Sequence, residues 1–74
     1  MFASMPKYTI IIEKTKNNYS AYCPDLPGCI ATGKTKEEVI KNMKEAIEFH
    51  LEGLRQENLP IPEAKTIAYQ LEVV

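Results

Sequence analysis

The 74-residue sequence has no tryptophan, one histidine (His50), one arginine (Arg55) and three glycines. Each scarcity excludes a class of function. Gly28, Gly33 and Gly53 are scattered, so no glycine-rich loop is present to cradle a phosphate. One histidine and two cysteines, Cys23 and Cys29, fall short of the four or so closely spaced ligands of a structural metal site. No metal or other cofactor is therefore expected. Uninterrupted apolar runs stop at three residues, as in Ile10–Ile12, whereas a membrane helix needs about 20. No basic stretch precedes an apolar one, so no secretory signal is read. The expected place is the cytoplasm, with Cys23 and Cys29 as reduced thiols. Nine basic residues against ten acidic ones leave a net charge of −1, without the positive excess typical of nucleic-acid binders.

What is present is ordinary globular composition, 45% hydrophobic and 26% charged. The length allows one domain, residues 1–74. A chain this short buries only about 60% of its unfolded surface, so self-association or a partner would strengthen it. Met1–Pro6 shows no pattern and reads as a disordered tail. Lys7–Glu13 is rich in β-branched and aromatic residues, with Tyr8, Ile10 and Ile12 on one face and Ile11 on the other. A polar turn follows, in which Asn17-Asn18 suits positive φ, and Tyr19–Cys23 reads as the returning strand. Pro24-Asp-Leu-Pro-Gly28 is irregular, with Pro27-Gly28 suited to the centre of a type II turn. Cys29–Thr32 is a short third strand ended by Gly33.

Thr35-Lys-Glu-Glu38 is a capping box, in which the Thr35 hydroxyl takes the Glu38 amide and the Glu38 carboxylate reaches back to the Thr35 amide. The helix it opens is expected over Lys36–Gln56. Val39, Ile40, Met43, Ala46, Ile47, Leu51 and Leu54 fill an arc of roughly 140° on its surface. Ile67, Tyr69, Leu71 and Val73 alternate with polar or small residues and read as a fourth strand. The expected architecture is α+β, a two-layer β-β-β-α-β sandwich with one helix on a four-stranded sheet. Phe49 lies outside the apolar arc beside the flat spot at Gly53. These two residues are the candidates for self-association into a homodimer or homotetramer.

No catalytic set emerges. His50 with either cysteine is the one nucleophile–base pairing available, and His50 reads as a histidine at the edge of the core. Glu37 and Glu38 are explained by the helix N-terminus. Asp25, between two prolines, is explained as a turn residue. The residues thus describe a binding module without catalytic, metal-binding or cofactor-binding residues. The alternatives are an RNA-binding or vestigial nuclease domain, with Tyr8, Tyr19 and Tyr22 as stacking rings, and an oligomeric small-ligand-binding domain.

Four stretches carry a family resemblance: Tyr8–Glu13; Tyr19-Ser-Ala-Tyr-Cys-Pro-Asp-Leu-Pro-Gly-Cys29; Ala31-Thr-Gly-Lys-Thr-Lys-Glu-Glu38; and Ala46-Ile-Glu-Phe-His-Leu-Glu52. The Leu59-Pro-Ile-Pro62 connector adds to them. Together they resemble the N-terminal domain of HicB-type antitoxins over about residues 7 to 74. The resemblance implies a partial ribonuclease-H-like fold that lacks the catalytic carboxylates. It also implies a partner, a small basic HicA-type toxin that cleaves messenger RNA and is masked by the antitoxin. Longer relatives add a DNA-binding module, for which this sequence shows no segment after the fourth strand. The toxin-facing residues expected here are Asp25, Leu26 and Pro27, at the tip of the proline-flanked loop.

Overall fold

The structure, a computed structural model, describes residues 6–74. The expected tail is Met1–Pro6, of which all but Pro6 lies outside the described residues. Three strands and one helix follow in order: β1 (Ile11–Lys14), β2 (Tyr19–Tyr22), β3 (Ile30–Gly33) and α1 (Lys36–Gln56). The strands form one antiparallel sheet in the order β1-β2-β3. The fold is thus α+β, with α1 on one face of the sheet.

The register pairs Ile11 with Tyr22 and Tyr22 with Ile30, so these three side chains make a row on the outer face. The neighbouring row, Ile12 and Ala21 with Ala31, faces the helix. Ala21, Cys23, Leu26, Cys29, Val39, Met43 and Leu51 form the buried core, with Tyr8, Ile10, Ile12 and Ile47 packed around it. The turn between β1 and β2 does not use positive φ at Asn17-Asn18, since Asn58 is the one non-glycine residue with positive φ among those described. Thr15 closes the turn instead. Its amide and its hydroxyl both donate to the Asn18 carbonyl, at 2.8 and 2.9 Å. β1 starts later than the alternation over Lys7–Glu13 predicts. Continuing the register puts Thr9 opposite Pro24, which has no N–H to give a ladder.

α1 has the expected bounds because its signals are local. The Thr35 hydroxyl accepts the Glu38 amide at 3.0 Å. The Glu38 carboxylate reaches one residue further back than expected, to the Lys34 amide at 2.8 Å. At the other end Asn58 takes φ 56°. The Leu59 amide donates to the Leu54 carbonyl and the Asn58 amide to that of Arg55, the paired bonds of a Schellman motif. No helix among the described residues is long and apolar enough to cross a membrane.

The fourth strand is the main correction. Ile67–Val73 forms no strand, and the sheet has three. Alternation gives a segment two faces, but a ladder also needs an edge to join. Here the chain is held at Thr66 and then leaves the body. Ile67, Tyr69, Leu71 and Val73 are 77–86% exposed. Among the described residues the sheet thus has three strands in place of the expected four.

Candidate protein-binding surface

The loop between β2 and β3 is two β-turns sharing one residue. The Leu26 amide donates to the Cys23 carbonyl at 3.1 Å, and the Cys29 amide to the Leu26 carbonyl at 3.0 Å. The Cys23 amide closes the neck by donating to the Cys29 carbonyl at 3.2 Å. Pro27 and Gly28 occupy the centre of the second turn, and Gly28 takes φ 84° as a type II turn requires. Leu26 is not at the tip. Its side chain is fully buried between the turns and the helix, where it pins the loop to the core and presents no surface. Pro27 remains exposed.

Asp25 is used inside the molecule. One carboxylate oxygen accepts the backbone amides of Lys65 and Thr66, at 3.1 and 3.0 Å. The other accepts the Thr66 hydroxyl at 2.7 Å. These bonds, the hydroxyl first and the Thr66 amide next, hold the Asp25 carboxyl below its ordinary value. A carboxylate so tied is a weak base near neutral pH. Two further bonds attach the connector to the start of the chain. The Tyr8 hydroxyl donates to the Pro62 carbonyl at 2.6 Å and the Thr9 hydroxyl to the Thr66 carbonyl at 3.0 Å. Sequence reasoning did not find Thr66 because it lies 41 positions from Asp25 and carries no local signal.

Next to this loop a groove of about 400 Å³ runs between β3 and the helix, lined by Gly28, Cys29, Ile30, Phe49, His50 and Gly53 among others. Phe49 is 83% exposed and Ile30 is 70% exposed. The loop and the helix rim, assigned separately by the sequence, therefore meet on one surface. Cys29 and Cys23 are free and buried. Burial, and then the neighbouring Cys23, raise the Cys29 thiol, the opposite of what activates a nucleophile. His50, although in the same groove, thus faces no activated thiol at Cys29. No cluster of three or more metal-ligating side chains occurs among the described residues.

An exposed apolar groove beside a hydrogen-bonded double turn, on a small α+β domain, is a candidate protein-binding surface. The profile of the HicB-like antitoxin of bacterial toxin-antitoxin systems matches residues 8–73, and the chain belongs to that family. It is 41% identical over 68 residues to a UPF0150 protein of Synechocystis, covering 90% of this chain and 86% of that protein. It is 42% identical over 60 residues to an uncharacterized 14.9 kDa protein of Haemophilus phage HP1, covering 81% of this chain and 45% of the phage protein. Among solved structures, a chain of the HicA3 and HicB3 toxin-antitoxin complex matches with a TM-score of 0.64 and 40% identity. That match covers 74% of this chain and 64% of the solved one. The chain thus spans under half of the phage protein and under two thirds of the solved chain.

Proposed function

We propose that this chain is the toxin-binding module of an antitoxin, which associates with a small basic HicA-type ribonuclease and masks it without a reaction. The observation that carries this reading is the groove beside the double turn. It joins a large exposed aromatic ring, an exposed isoleucine and a preformed loop on one face. The likeness to a chain of a HicA–HicB complex supports it. Phe49 and Ile30 would supply the apolar centre and Pro27 the rim. The acidic balance of the chain favours encounter with a basic partner. The reaction would be stopped by covering the toxin's RNA-binding face, and the pair would act in the cytoplasm.

The test is an RNA-cleavage assay with a HicA-type toxin and increasing amounts of this chain. Stoichiometric inhibition is expected. Uninhibited cleavage, with no complex on a sizing column, would sink the reading. Phe49→Asp tests the surface. The ring is largely in solvent, so the fold should be unaffected, and inhibition should weaken at least tenfold. Phe49 and Gly53 were also expected at a self-association surface. Light scattering on the same variant separates the two contacts: an unchanged mass with lost inhibition assigns the groove to the toxin, and a halved mass assigns it to a second copy.

A further inference from the structure

The helix carries a wider apolar stripe than the sheet covers. α1 packs on β3 and β2, and Val39 and Met43 on that side are fully buried. On the other side of the stripe Ile40 is 42% exposed. There Ile40, Ile47 and Leu51 face Tyr8 and Ile10 across an open groove of about 530 Å³. β1, the strand beside this groove, is at the edge of the sheet. Residues 7–10 lead into it with a strand's alternation and no ladder. An added strand along this edge would close the groove and pair the backbone, which otherwise invites pairing with another chain.

The same chain holds a segment of the matching kind. Ile67–Val73 makes no backbone hydrogen bond within the described chain, and its four large apolar residues stand in solvent. Ala68, Gln70 and Glu72 alternate with them and suit the open face of an added strand. The root of the segment is already committed: Asp25 accepts the Lys65 and Thr66 amides, and the Thr9 hydroxyl donates to the Thr66 carbonyl. Beyond it the segment joins no strand of its own sheet.

We propose that Ile67–Val73 is donated to a second copy of this chain. There it pairs with the outer edge of residues 7–13 as a fourth strand and lays Tyr69 and Leu71 into the groove between Ile10 and Ile47. The exchange is reciprocal and generates a two-fold dimer of four-stranded sheets. Four large side chains from each copy enter the interface. This assembly does not depend on a toxin and leaves the Phe49 groove open on both copies.

The test uses the full chain alone. Isotope-labelled and unlabelled chains are mixed, unfolded and refolded together, and filtered nuclear Overhauser spectra report contacts between copies only. Contacts from the Leu71 and Val73 methyls to those of Ile10 and Ile47 are expected across copies. Sedimentation should show a dimer, and Leu71→Asp should raise its dissociation constant at least 100-fold. Leu71 is exposed in the single chain, so this variant should retain the helical circular dichroism of the parent. A monomer at all concentrations, the same contacts within one copy only, or an undisturbed Leu71→Asp dimer would each overturn the proposal. Because no toxin is present, failure here leaves the antitoxin reading standing, and failure of that reading leaves this one standing.

Discussion

Asp25 shows how one side chain can tie distant parts of a small chain together. Between two prolines it has the residue type of a local turn former, yet its three acceptor bonds reach Lys65 and Thr66. Its carboxyl is lowered from its ordinary value by these bonds, so the clamp contributes stability above the unfolded-state value of about 3.9. That contribution is lost as pH falls through the lower, folded value. The Lys65 and Thr66 amide signals should therefore move together in an acid titration, with a midpoint below about 3.9. A midpoint at or above the free value would mean that the clamp is absent in solution. Asp25→Ala should raise hydrogen exchange at the Thr66 amide at least tenfold at neutral pH, with the core amides unchanged.

At the scale of elements, the helix is seated on the sheet through a contact that residue type alone did not announce. Gly33 ends β3 in the expected place, but it also lies directly under the first turn of α1. A Cβ there would come within 2.6 Å of the Val39 nitrogen and 2.9 Å of its Cα. Backbone cannot yield as a flexible side chain does, so the helix must slide or tilt. Gly33→Ala should cost about 1–3 kcal/mol, the usual range for overpacking. Urea unfolding checks this, and a change under about 0.5 kcal/mol, the scatter of neutral surface substitutions, would show that α1 moves freely. The bounds of α1 were legible because the capping box and the apolar period are contained within the element. Its depth on the sheet was not, because it depends on β3.

The whole molecule is larger than its length requires. Its radius of gyration is 14.1 Å and its longest extent 44 Å, against about 11 Å for the radius of a compact domain of this length. The C-terminal segment, its large apolar residues in solvent, lies outside the packed core. If that segment is exchanged between copies, stability includes a dimer term, and the melting temperature should rise with protein concentration. Leu71→Asp should melt at a temperature independent of concentration. A parent chain whose melting temperature does not depend on concentration would count against the exchange.

The sequence by itself determined the hairpin and third strand, the helix and its bounds, the type II turn at Pro27-Gly28 and the family. All of these rest on interactions within a few residues, or on residue types in a local pattern. Tertiary structure alone decided that Leu26 is buried, that Asp25 binds Thr66, that the loop and Phe49 share one groove, and that Ile67–Val73 does not complete its own sheet. Each of these depends on which surfaces meet across long separations. The alternation of Ile67, Tyr69, Leu71 and Val73 has the pattern of a strand, yet the segment forms none. Whether a strand forms depends on an edge to receive it, and beyond the anchor at Thr66 this segment joins none in its own sheet.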